Sequence, residues 1–210
     1  MDHWLYGVDN GIEKEPRAII QRENLAYKTY SNWPDNKVKN KTYSLTALGG
    51  GKKTQSFVDK GAQRLAEELV VAPNSADPNR LAYTTKKLAT KQRISGTVKL
   101  KLKLSVNNRK DANVTGLLVD YAADGTATIV SRGWIDPQNR KSIRHGLPLK
   151  KGKKYQLDFG MQPKDYVFAA GHRIGLVVIS TDYDYTLRVA PGTKLSVDPR
   201  ASRLTLPLVG

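Results

Sequence analysis

Tyr166-Val-Phe-Ala-Ala-Gly171-His172-Arg173-Ile-Gly175-Leu176-Val-Val-Ile179-Ser180 carries an apolar run, Leu176 to Ile179, just behind a Gly-His-Arg turn. A run this short and this rich in β-branched residues reads as a strand covered on both faces. It is far too short to cross a membrane as a helix. Gly171 supplies the permissive backbone for entering the strand, and Gly175 marks a bulge or a close backbone approach. The stretch is therefore expected to be a central strand of a β-sandwich. The rest of the chain is read for the strands that would flank it.

Strand signals are dense on both sides. Ile94 to Val106 is the longest, with Val98, Leu100, Leu102, Leu104 and Val106 on one face and Lys99, Lys101 and Lys103 on the other. Val114 to Tyr121 and Thr126 to Ile135 flank Asp124-Gly125, a hairpin signal. Leu81 to Thr85 and Tyr155 to Met161 are shorter strands. Leu187 to Val189 and Lys194 to Val197 flank Pro191-Gly192, which suits the centre of a type II turn. Ser202 to Leu208 closes the chain, with Pro207 expected to put its end on an edge.

The first half is more mixed. Arg17 to Arg22 and Thr42 to Leu48 read as strands, and Tyr27 to Trp33-Pro34 as an edge strand. Ser56 to Val70 reads as the one helix. Phe57, Gly61, Leu65 and Leu69 recur at spacing four, and Ser56 with Asp59 resembles a capping box. Many short strands, a single helix and no β-α-β alternation give an all-β fold, a two-sheet sandwich, with a jelly roll of the galactose-binding-like kind as its expected version. Residues 1–16 stand apart: His3, Trp4, Leu5, Tyr6 and Val8 cluster in a piece too short to bury them.

Composition narrows the chemistry. The 210 residues contain no cysteine, which removes disulfides, thiolate metal sites and cysteine catalysis, and fits a reducing compartment. Thirty-five Lys and Arg against nineteen Asp and Glu give a formal charge of +16. Such a balance calls for an anionic partner, and a scattered distribution favours an acidic neighbouring domain over nucleic acid. No nucleic-acid or membrane partner is expected.

Catalytic and cofactor motifs are missing. No Gly-x-Ser-x-Gly elbow exists, and His3, His145 and His172 sit in unrelated contexts. Gly49-Gly-Gly-Lys52-Lys53-Thr54 fails as a phosphate loop, because Thr46 stands where the first glycine is needed and Lys53 where Ser or Thr should follow Lys52. No metal or cofactor is assigned. Asp182-Tyr183-Asp184-Tyr185 is the acidic cluster of note, a candidate ligand or interface site able to hold calcium through oxygen ligands or to stack a sugar ring, which gives a carbohydrate-binding module as the alternative reading. Its bland reading is a strand-exit loop. Gly171, His172 and Arg173 are assigned a structural part, His and Arg both hydrogen-bonding to loop backbone. The lysine row is a solvated face, a surface toward another domain, or a polyanion site.

The ordered set Trp33-Pro34, Phe57-Val-Asp59, Ile94-Ser95-Gly96, Asp120, Asp124-Gly125, Gly133 and Val167 to Asp182 resembles the C-terminal domain of the Xaa-Pro dipeptidyl-peptidases. The tail Ser180 to Arg188 through Leu204-Thr-Leu-Pro-Leu208 is similar to lactic-acid-bacterial members. The resemblance implies a parent that is a cytoplasmic serine exopeptidase releasing X-Pro dipeptides from peptide N-termini, often as a homodimer. It implies an α/β-hydrolase domain carrying the Ser-Asp-His triad ahead of this one, with residues 1–16 as its last segment and linker and 17–210 as the jelly roll. No triad motif matches here, so the chain alone is expected to be non-catalytic and to pack on and support that domain, with peptides the parent's substrates.

Overall fold

The computed structural model describes residues 1–23, 25–60 and 64–210. Three sheets form. A two-stranded hairpin joins β1 (Ala18–Gln21) to β2 (Tyr27–Tyr30). The larger sheet takes β3 (Val38–Ser44), β4 (Gln55–Asp59), β6 (Gln92–Gly96), β7 (Lys99–Val106), β10 (Lys154–Gly160), β11 (Lys164–Phe168), β13 (Thr193–Val197) and β14 (Arg203–Val209). The smaller runs β5 (Arg80–Thr84), β12 (Arg173–Ile179), β8 (Val114–Tyr121), β9 (Ala127–Ile135).

The eight strands of the larger sheet line up end to end in pairs. β13 and β14 both run antiparallel to the β6–β7 line, from Leu195 opposite Val106 to Leu208 opposite Ile94. β3 with β4, and β10 with β11, flank that centre in the same way. The sheet is thus four long, interrupted strands facing the four of the smaller sheet. Gly96 breaks the expected Ile94–Val106 strand at φ +116°, with Pro34 Cγ 3.0 Å from where a Cβ would sit. Pro207 lies in an interior strand, not on an edge, at the step where the partner of β14 changes from β7 to β6. The missing N–H is tolerated where the ladder is already interrupted.

The alternation along β7 works as expected. Leu100, Leu102, Leu104 and Val106 are buried against Leu118, Ile174, Leu176 and Val178 of the smaller sheet. The other face of that sheet, with Leu117, Val119, Tyr121, Val177 and Ile179, is covered by the short helix α2 (Ala66–Val70). Both faces of β8 and β12 are therefore occupied, which is why β12 reads as a continuous apolar run from Leu176 to Ile179. Gly175 is the close approach, to a side chain: a Cβ there would stand 2.2 Å from Tyr121 Cε2. The register shift falls instead in the β8–β9 pair, where Val130 of β9 is the extra residue between Ser131 opposite Leu118 and Ile129 opposite Val119.

Several expectations need correction. The helix from Ser56 to Val70 is a strand at Gln55–Asp59 followed by the five-residue α2, and Gly61 lies outside the described residues. Phe57 and Asp59 point inward while Ser56 turns out to bond Ser196 of β13 at 2.7 Å, so period two wins once β13 is alongside. A second five-residue helix, α1 (Asp2–Tyr6), opens the chain. The strand expected at Thr42–Leu48 ends at Ser44, because Thr46–Gly50 closes a helical turn with Gly50 N–H on Leu45 O at 2.9 Å. Leu187–Val189 is loop.

Candidate functional site

The quoted stretch spans both sheets. Tyr166 to Phe168 end β11 in the larger one, and Arg173 starts β12 in the smaller. The four residues between are the crossover. Gly171, at φ +81°, donates its N–H to Leu88 O at 2.8 Å, and Leu88 N–H returns to His172 O at 2.8 Å. Arg173 donates to Thr85 O at 3.0 Å, as loop-backbone binding requires. His172 does not follow that expectation. Its Nδ1 lies 2.9 and 3.0 Å from the two carboxylate oxygens of Asp120, a buried residue of β8.

Tyr166 closes this cluster by donating its hydroxyl to Asp120 Oδ2 at 2.9 Å. Burial, then the Asp120 charge, hold its phenol well above the ordinary tyrosine range. One carboxylate thus ties the last residues of one sheet to the first of the other. A histidine oriented by a carboxylate is half of a nucleophile-activating pair. Among the described residues the ring is hydrogen-bonded to Asp120 and to no hydroxyl or amine. Replacing His172 with Ala should cost about 1–3 kcal/mol, since Asp120 loses one of two side-chain partners; a thermal melt superimposable on the parent's would refute this.

The acidic loop is organised from β9. Asp182, 1% exposed, accepts two bonds of 3.0 Å from Arg132 and one of 2.9 Å from Trp134 Nε1. Arg132 also pairs with Glu67 of α2. The ring of Tyr185 stacks on Trp134, centroids 5.7 Å apart, and lies 4.6 Å from the Arg132 guanidinium. Tyr183 lies under Arg188 at 5.5 Å, and Asp184 is exposed. Of the four candidates, Asp182 and Tyr185 converge on Arg132, while Tyr183 and Asp184 do not join them. Asp182 is engaged with donors on both oxygens, unlike a calcium ligand awaiting a cation. Among the described residues no group of three or more acidic or histidine side chains could hold a metal.

A third cluster carries no local sequence signal. Asp165 of β11, its side chain fully buried, accepts from Arg93 at 2.9 and 2.6 Å and lies 3.1 Å from Arg22 Nε. Trp33 Nε1 adds a bond of 3.3 Å, and Arg93 also reaches Asp35 at 2.8 Å and the Tyr30 ring. The hydrogen bond to Asp165 holds the Arg93 pKa above even the usual arginine value. This is how the β1–β2 hairpin is fastened to the sandwich. On its free side the hairpin shows Ile19, Leu25 and Tyr27 to solvent, and ahead of it Trp4, Leu5 and Tyr6 are 66–77% exposed.

The lysine row lies on the outer face of the larger sheet, Lys99 and Lys101 exposed and Lys103 half-buried. No helix among the described residues is long and apolar enough to cross a membrane.

Comparison with known proteins agrees with this all-β sandwich. A solved aminopeptidase from a marine-sediment Thaumarchaeota archaeon superposes with a TM-score of 0.75 at 15% identity, over all of this chain and 43% of its own, which shows a shared fold. A Bacillus cereus protein bearing the name Xaa-Pro dipeptidyl-peptidase is 44% identical over the whole chain, and the chain spans only 37% of it. The Xaa-Pro dipeptidyl-peptidase of Ligilactobacillus salivarius is 25% identical over 99% of the chain and 32% of its own length. Residues 10–206 match the family described as the X-Pro dipeptidyl-peptidase C-terminal non-catalytic domain, and the chain belongs to that family.

Proposed function

We propose that this domain is the structural support of a serine exopeptidase that removes X-Pro dipeptides from peptide N-termini. The observation that carries the reading is the apolar surface of the N-terminal segment and hairpin. Trp4, Leu5 and Tyr6 of the N-terminal segment and Ile19, Leu25 and Tyr27 of the hairpin are large apolar side chains left in solvent, and the hairpin is itself fastened by buried ion pairs. Exposed apolar clusters of this kind mark contact surfaces. Residues 1–16 serve as the tail of an α/β-hydrolase domain and linker, and 17–210 as the supporting sandwich. The sandwich is read as a jelly roll, supported by the alternation of successive long strands between the two four-position sheets. The catalytic residues lie on the hydrolase domain, which this one holds in shape. Absence of cysteine favours a cytoplasmic home, and a homodimeric parent is the expected assembly.

The test compares this chain with the longer protein that carries the hydrolase domain. The 210-residue chain should not turn over a Gly-Pro chromogenic substrate, whereas the longer protein should. Ile19→Asp with Tyr27→Asp should lower the inactivation temperature of the longer protein by about 5 °C or more while shifting the isolated domain by less than about 2 °C. Equal shifts in both would mean that the hairpin surface contacts nothing outside the domain.

A further inference from the structure

The outer face of the larger sheet is covered unevenly. Ile94 points to the core, so Arg93 and Ser95 point outward, where Asp35 and the β1–β2 hairpin meet them. Over the middle of β7, β10 and β14 that face is open, with Lys99, Lys101, Lys103 and Arg203 standing among Gln156, Asp158 and Thr205. Arg203, Lys101 and Asp158 form one cross-strand row, and Thr205, Lys99 and Gly160 the next. A groove of about 570 Å³ opens along them, with Lys99, Lys101, Arg203 and Asp158 and the threonines Thr42 and Thr205 on its walls and Leu100 and Phe159 adding apolar surface. Thr42 and Thr205 hold one another at 2.9 Å across the β3–β14 pair. Lys101 pairs with Asp158 at 3.6 Å, and among the described residues Lys99, Lys103 and Arg203 take part in no ion pair.

We propose that this groove and the lysine row beside it bind an acidic polypeptide segment in extended conformation, with carboxylates at alternate residues. The spacing carries the idea. Lys99, Lys101 and Lys103 project from one face of a strand at intervals of about 6.7 Å, the interval at which an extended peptide projects its own alternate side chains. Arg203 and the threonine hydroxyls add donors of the type carboxylates accept. Nucleic acid fits less well. Phe159 is the one aromatic residue of the groove and its ring packs on the core, so no ring is offered to a base. With a formal charge of +16, the chain gains from an acidic partner, and on this face Lys99, Lys103 and Arg203, among the described residues, take part in no ion pair.

A fluorescein-labelled decapeptide of alternating Glu and Thr, titrated by anisotropy into the 210-residue chain at about 50 mM salt, tests the proposal. Saturable binding is expected, weakened about tenfold or more by Lys99→Glu with Lys103→Glu. Lys52→Glu with Lys53→Glu makes the same charge change on an exposed loop and should weaken it less than about threefold. A decapeptide with the five Glu grouped at one end should bind at least about threefold more weakly, because only alternate carboxylates match the row. Far-UV circular dichroism checks each variant, and Lys99→Gln with Lys103→Gln replaces the reversal should it unfold. Three results each overturn the proposal: no saturable binding, equal losses in the two charge-reversed pairs, or equal affinity for the grouped peptide. Tighter binding of a short heparin fragment than of the alternating peptide would also overturn it, assigning the face to polyanions at large.

Discussion

Asp165→Ala should lower stability by about 3–5 kcal/mol, because two arginines would be left with their shared carboxylate gone. For a domain of this size that is a fall in Tm of roughly 6–20 °C. Arg22 is held by three groups, the Glu23 carboxylate, the Tyr30 hydroxyl and Asp165, and Arg93 by Asp165 and Asp35. Removing Asp165 breaks contacts to both arginines and to Trp33, so the cost exceeds that of any single surface pair. Asp165→Asn, which keeps the shape and drops the charge, should move the same way. Differential scanning fluorimetry reads both, and a melting point within about 2 °C of the parent for Asp165→Ala would mean the hairpin is held by something other than this node.

Arg132→Ala is the second large effect, again about 3–5 kcal/mol. Asp182 would stay buried with the Trp134 indole as its one remaining side-chain donor, and α2 would lose the tie through Glu67. Tyr185 would lose the guanidinium beneath its ring. A specific optical signature should accompany the drop in Tm: Trp134 emission moving to longer wavelength as loop 182–187 opens to water. A stability loss without that shift would place the damage at α2 rather than at the loop.

Both nodes show why the sheets were legible in the sequence and the site was not. Alternation along Lys99 to Val106 and the Asp124-Gly125 hairpin are local, so a window of a few residues contains the answer. The Phe57, Leu65, Leu69 spacing misled for the opposite reason: it looked helical until Leu195 and Ser196, far along the chain, supplied a strand partner. Asp165 meets Arg93 from 72 residues away, His172 meets Asp120 from 52, and Asp182 meets Arg132 from 50. Nothing near an aspartate in sequence announces such a partner. The one available hint was that Asp120 interrupts the otherwise apolar strand Val114–Tyr121, where a buried carboxylate must be satisfied.

The place of β14 bears on how the chain is made. It comes later in the chain than β3, β6 and β7, yet it sits inside the larger sheet, with β3 on one side and β6 and β7 on the other. Val209 is opposite Val38, so the ladder of β3 cannot close on this side until residues 203–209 have been made. Pairings this distant are slow to form, since chain entropy is lost before any contact is gained. Until β14 has been made, β3, β6 and β7 keep open edges, and lysines such as those of β7 are the kind of side chain that discourages such edges from joining other chains.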